Sequence, residues 1–260
     1  MAGAAFFDLD KTLMEGSSAL HFGRAAYRAG VVSRRQLVSD AWANVRFRLH
    51  GSTDEGTDEL RQRILDAIAG QRVVDLMRLG PDVLAGILPL IYKDVLEAAW
   101  AHQDAGRRAY IVTAASQELA ESLARVLVLD GGIGMRSEVK DGVYTGRPDG
   151  PFTYREGKAE AIRELAALEG FDLAESYAYS DSESDLPMLR AVGHPVVVNP
   201  DRELARIAAD HGWQVMRFDK LGRRLKIGGA VGAVALLGAA AGGLADARAR
   251  RRRSRLRPWG

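Results

Sequence analysis

Five short apolar runs recur along the chain, each too short for a helix, with helical stretches between them. They are Gly3–Asp8 (GAAFFD), Arg108–Thr113 (RAYIVT), Ser176–Ser180 (SYAYS), Pro195–Asn199 (PVVVN) and Gln214–Phe218 (QVMRF). Short, continuous apolar runs of this kind read as buried strands. Strand, crossover helix and parallel strand, repeated several times, make an α/β fold. Helices are expected over Gln117–Leu129 and about Gly157–Glu169. Asp141-Gly142, between two short alternating arms at 138–144, signals a hairpin.

The rhythm breaks once. From about Ser17 to Gly106 the apolar residues fall at helical spacing, as in Leu37, Ala41, Val45, Leu49 and in Leu60, Ile64, Leu65, Ile68. Ser33, Asp54 and Pro81 stand where helices would start, and Gly30 and Gly70 where they would stop. This is a helical insertion between the first and second strands. The expected organisation is a core of residues 1–15 and 107–219, a helical insertion of 16–106 and a C-terminal tail of 220–260.

Composition removes several alternatives. Hydrophobic residues are 47% and charged residues 27% of 260, the balance of a folded soluble protein. No cysteine is present, which excludes disulfides, thiolate metal sites and cysteine nucleophiles and suits a cytoplasmic setting. The start, MAGAAFFDLDKT, lacks the basic residues and long apolar stretch of a signal peptide. The five histidines show no metal-ligand spacing, and Gly131-Gly132-x-Gly134 lacks the full dinucleotide fingerprint. Trp42, Trp100 and Trp213 suit packing.

Asp8 and Asp10 follow the first strand. If the chain is still extended there, period two sets both carboxylates on one side. In open α/β sheets ligands bind beyond the carboxyl ends of the strands, so the pair stands where a site belongs. Neighbouring carboxylates repel, and a cation or a shared proton must offset that cost. Mg2+, a hard cation that prefers oxygen, is the simplest solution. The bland alternative is an acidic turn that caps the next helix. Thr113, Lys158, Asp181 and Asp185 change the balance. Thr113 ends a strand, Lys158 opens a helix, and the two aspartates follow a strand (SYAYSDSESD).

With these residues in place the sequence resembles the haloacid dehalogenase superfamily of phosphohydrolases. FFDLDKT (Asp8, Asp10, Thr12), IVT (Thr113), GK (Lys158) and SDSESD (Asp181, Asp185) match its four motifs. The FTYREGK, DGVYTGRPDGPF and DLPML stretches are most similar to the subgroup containing phosphoserine phosphatases. The resemblance covers roughly Gly3 to Phe218. It implies a Rossmann-like parallel-sheet core, and it makes the helical insertion a C1-type cap. It also implies Mg2+-dependent phosphomonoester hydrolysis with Asp8 as nucleophile and Asp10 as general acid and base. Thr113 and Lys158 would hold the phosphoryl oxygens, and Asp8, the Asp10 carbonyl and Asp181 the metal. Asp185 and Thr12 would support them from behind. Ser182 and Asn199 are not expected to be catalytic.

Two departures bear on substrate. Phosphoserine phosphatases carry an acid nine residues after the nucleophile, where this chain has Ser17; Glu15 is the nearest acid. Their second motif continues into Ser-Gly-Gly, and this chain reads Thr113-Ala114-Ala115-Ser116. Arg46, Arg48, Arg61 and Arg63 could meet an anionic group or simply face solvent.

The tail reads differently. Seven arginines follow Asp246, and without them and Asp246 the chain has 29 basic and 33 acidic residues, a net of −4. Residues 227–245 carry no charge and hold six Gly and seven Ala among 19 residues. As a helix they would approach the thickness of a hydrocarbon core, although basic residues on both flanks disfavour a span. A helix lying on an anionic membrane surface avoids that objection. The alternative is a flexible linker. The expected partners are therefore a phosphorylated small metabolite or a lipid headgroup, with an anionic membrane surface for 220–260. Nucleic acid is not expected, because the arginine run lacks interleaved aromatics. A lipid-phosphate phosphatase, or a non-catalytic protein working through its tail, stand as the competing readings.

Overall fold

The computed structural model describes residues 2–30 and 54–218. Its centre is a six-stranded, wholly parallel sheet in the order β3-β2-β1-β6-β7-β8. The strands are β1 (Ala4–Asp8), β2 (Arg108–Ser116), β3 (Gly131–Met135), β6 (Tyr177–Ser180), β7 (His194–Val198) and β8 (Gln214–Met216). A separate antiparallel pair, β4 (Ser137–Lys140) and β5 (Val143–Pro148), is the hairpin expected at Asp141-Gly142.

All five apolar runs are strands. β1 is buried along its whole length, as a central parallel strand must be, with helices on both faces. Phe6 stacks on Tyr110 and packs with Ile162, Met188 and Leu189, while Phe7 stacks on Tyr179 at 4.3 Å.

β3 is the strand that apolar content did not announce. Its glycines serve helix α6 (Gln117–Val126), which packs directly on them. A Cβ on Gly132 would lie 2.3 Å from the Ala120 carbonyl carbon. Close approach of backbone to backbone, rather than side-chain packing, holds this edge.

Between β1 and β2 the described residues form helices joined by turns, with no strand among them. The α-helices there are α1 (Ser18–Arg28), α2 (Asp54–Ile68), α3 (Val73–Met77), α4 (Gly80–Ile87) and α5 (Lys93–Asp104). Asp54 is the first described residue of α2, and Pro81 sits in the first turn of α4, as its residue type suggests. Leu65 is fully buried, and Ile64 and Ile68 are half-buried. Ser33 and the Leu37–Leu49 stripe fall outside the described residues. The remaining helices are α7 (Glu156–Glu169), α8 (Leu186–Arg190) and α9 (Arg202–His211). The hairpin reaches back to the helical segment, where Tyr144 N donates to the Gln71 carbonyl at 3.0 Å and Gly70 N to the Tyr144 carbonyl at 2.9 Å.

The Gly/Ala segment 227–245 and the arginine run also lie outside the described residues. Among those described, no helix is long and apolar enough to cross a membrane.

Candidate active site

Strand register brings the motif residues to one edge. Asp8 pairs with Val112 in β2, so Thr113 lies one residue further along. Phe7 pairs with Tyr179, which sets Asp8 level with Ser180 and just before Asp181. β1 and β6 end at this level, whereas β2 does not end at Thr113 but runs on to Ser116 after a register irregularity; the edge so formed carries Asp8, Thr113 and the SDSESD turn.

Lys158 completes the group from α7. A Cβ on Gly157 would lie 1.8 Å from the Phe152 carbonyl oxygen, so only glycine lets this first turn sit so close to the preceding chain. Arg155, just before the helix, has φ 51° and ψ −120°, a conformation that costs a side-chain-bearing residue free energy. The result is a lysine only 3% exposed, with Nζ 2.5 Å from Asp8 Oδ1 and 2.7 Å from Asp185 Oδ2. Ser180 Oγ donates to the same Asp185 oxygen at 2.7 Å, and Asp185 Oδ1 is buried without a partner among the described residues.

Asp10 departs from the expected geometry. The chain leaves the strand by Leu9, and Lys11 has φ 64°, so period two does not carry past Asp8. Leu13 N returns to the Asp8 carbonyl at 3.2 Å. The Asp10 carboxylate instead meets the start of α1, accepting from Ser18 N at 2.8 Å and Ser17 Oγ at 2.9 Å. The capping role is real, and it fixes the carboxylate beside the strand edge. Ser17, nine residues after Asp8, thus binds Asp10 through its hydroxyl. Thr12 is fully buried, and its Oγ1 accepts from Asp181 N at 2.9 Å, tying the loop after β1 to the loop after β6. Thr113 is buried, its Oγ1 accepting from Ala115 N at 3.2 Å.

The electrostatics show a deficit of positive charge. Burial pushes the Asp8 carboxyl up to about 8, with Asp185 and Asp181 adding to the rise and Lys158 opposing it. Burial likewise pushes Asp181 up to about 6, against the opposing charge of Lys11 at 3.9 Å. Burial works against the Lys158 charge, but the attraction of Asp185 and Asp8 outweighs it and raises its pKa.

Buried carboxylates with too few cations fit a hard divalent metal. Among the described residues no three His, Cys, Asp or Glu side chains form a metal cage. The buried carboxylates of Asp8 and Asp181 are hard oxygen donors of the kind that suit Mg2+, which keeps several waters. Ser18 and Ser180 carry no distinguishing sequence pattern, and Ser17 is marked only by its place nine residues after Asp8.

Residues 5–190 match the haloacid dehalogenase-like hydrolase family. A phosphoserine phosphatase of Mycobacterium tuberculosis is 39% identical over 98% of this chain and 82% of its own length. A histidinol-phosphatase of Neisseria meningitidis is 29% identical over 84% of this chain and its whole length. A solved structure of a protein of unknown function from Bordetella pertussis superposes with a TM-score of 0.74 at 28% identity. It covers 83% of this chain and 98% of that one.

Proposed function

The chain belongs to the haloacid dehalogenase-like hydrolases and is a phosphatase, and from that premise we propose a Mg2+-dependent phosphomonoesterase that works through a phosphoaspartate on Asp8. The observation that carries this reading is the buried Lys158 ammonium, seated between Asp8 and Asp185 at the carboxyl edge of the sheet.

Asp8 attacks phosphorus in line, and the bond to the leaving alkoxide breaks as the acyl phosphate forms. Asp10, held by Ser17 and Ser18, delivers a proton to that leaving oxygen. It then takes a proton from the water that attacks the intermediate, which frees Asp8 and inorganic phosphate. Lys158 and the Thr113 hydroxyl bind the non-bridging phosphoryl oxygens, where charge gathers in the transition state. Asp185 and Ser180 keep the ammonium in place, and Thr12 holds the Asp181 loop against the Asp8 loop. Asp8, Asp181 and the Asp10 carbonyl are the groups that would hold Mg2+, which supplies charge neutralisation at the phosphoryl group.

We assign residues 16–106 as a cap over this edge. Its backbone ties to the loop after β1 support that role: Glu15 N donates to the Leu90 carbonyl at 2.8 Å and Tyr92 N to the Leu13 carbonyl at 2.9 Å. The substrate is a small phosphorylated metabolite. Phosphoserine and histidinol phosphate, the substrates in the relatives' names, are both phosphates of primary alcohols with an adjacent amine.

The test is phosphate release from aryl phosphate, phosphoserine, histidinol phosphate and sugar phosphates, with and without Mg2+. Wild type is expected to turn over at least one of them with Mg2+, and Asp8→Asn to lose about a thousandfold or more. Turnover by Asp8→Asn at the wild-type rate contradicts the mechanism.

A further inference from the structure

Lys11 takes no part in the steps above, yet it stands at a strained position. In the turn between Asp10 and Thr12 it has φ 64°, the left-handed region, which costs a residue with a Cβ free energy and which glycine adopts freely. The side chain kept there reaches the loop after β6, where its Nζ lies 3.9 Å from Asp181 Oδ2. Thr12, the next residue, meets the same loop, its Oγ1 accepting from Asp181 N at 2.9 Å. Two consecutive residues thus hold Asp181, Thr12 by the main chain and Lys11 by the carboxylate. The Asp181 side chain is 13% exposed, whereas that of Lys11 is half-exposed. Of the charges that act on this carboxylate Lys11 contributes the most, ahead of Lys158. At 3.9 Å the pair makes no hydrogen bond, and one end of it stands in water, so it opens at little cost.

Resting on the metal site proposed above, we infer that Lys11 is a built-in counter-ion of Asp181 that competes with Mg2+ and weakens its binding. The ammonium balances the Asp181 charge in the metal-free protein, so that loading is an exchange of cations rather than an addition. Mg2+ gains the carboxylates but meets a positive charge at one of them, and its affinity is lower than the same donors alone would give. The ammonium is half-exposed and swings into water when displaced, which limits the penalty. Loading then responds to free Mg2+ over a higher range of concentration. The Lys11 side chain is a positioning group for the metal site, and it explains why a lysine rather than a glycine occupies a left-handed turn.

The test is calorimetric titration of the full chain with Mg2+ and no substrate, which reads affinity without turnover. Lys11→Met removes the charge and keeps the backbone strain, Lys11→Gly removes both, and Lys11→Arg keeps the charge. Mg2+ is expected to bind Lys11→Met and Lys11→Gly about threefold to thirtyfold more tightly than wild type, and Lys11→Arg within about twofold of it. A lysine that only held the loop together would give the opposite sign, because its loss would disorder Asp181 and weaken binding. The stoichiometry of each titration reports how much of the preparation is folded. Equal or weaker binding by Lys11→Met overturns the inference, and tighter binding by Lys11→Gly alone assigns the effect to the backbone and overturns it too. In either case loss of Mg2+ binding in Asp181→Asn leaves the metal site standing. Mg2+ binding that Asp181→Asn does not alter overturns the metal site and the inference together.

Discussion

β6 carries a buried polar network at each end, and the two are built on opposite principles. Toward its amino end, His102 Nδ1 accepts from Arg107 Nε at 2.8 Å, which leaves Nε2–H to donate to the Tyr179 hydroxyl at 2.8 Å. His102 is 6% exposed and neutral, with its pKa lowered to about 4 by burial and then by the Arg107 charge. Tyr177 packs against the same imidazole, stacks on His194 and lies under the Arg107 guanidinium. Both ring nitrogens have partners, and no charge sits on the ring.

At the carboxyl end, Asp8 and Asp185 flank Lys158, Asp181 lies within electrostatic reach of both acids, and one Asp185 oxygen has no partner among the described residues. A satisfied neutral network lowers the free energy of the fold, whereas a buried charged cluster with missing partners raises it. On the proposed mechanism the same strand can carry both, because a site for a dianionic phosphoryl group and a metal would be left incomplete by the protein alone. The contrast therefore separates residues that stabilise the chain from residues that wait for substrate.

Cutting the centre of the charged cluster should have the largest effect. Lys158→Met leaves two carboxylates buried without their cation. It is expected to lower kcat/KM by about a hundredfold or more and stability by about 3 kcal/mol, by kinetics and urea unfolding. Full stability in that variant would show that the cluster is hydrated rather than buried.

Completing the cluster should have the opposite sign. Mg2+ at about a hundred times its Kd should add roughly 2–3 kcal/mol, seen as a rise in Tm of several degrees. Asp181→Asn should remove most of that rise. A rise equal in both proteins would place the cation elsewhere.

The smallest effect is expected at the neutral end. Because folding lowers the His102 pKa from 6.5 to about 4, the unfolded chain takes up a proton in that window that the folded chain refuses. The contribution is complete above about 6.5 and is lost as the pH falls toward about 4. His102→Gln should flatten this part of the stability profile by about 1–3 kcal/mol, with kcat at neutral pH within about twofold of wild type. A parallel profile in the variant would mean that the imidazole is protonated in the folded protein.

The contrast also separates what the sequence discloses from what it hides. Asp8, Thr113, Lys158, Asp181 and Asp185 are legible because each ends or follows a short apolar run or opens a helix, and strand register then sets their level. The Asp10 side chain was harder to place, because the turn at Lys11 breaks the alternation on which that reading depended. β3 is invisible to apolar content because its glycines are there for the backbone of α6. The pairing of His102 with Tyr179 joins residues 77 positions apart, and no local periodicity announces such a contact. The tail, the part of the sequence with the strongest compositional signal, lies outside the described residues.

The central claim is a covalent one, that phosphorus passes through the Asp8 carboxylate. The direct measurement is to quench the enzyme in acid during turnover, reduce with borohydride and sequence the resulting peptides by mass spectrometry. Borohydride converts an aspartyl phosphate to homoserine and leaves a free aspartate unchanged. Homoserine at position 8, dependent on substrate and Mg2+, is the predicted result. Aspartate intact at position 8 under conditions of rapid turnover, or homoserine at position 10 or 181 instead, would contradict the account.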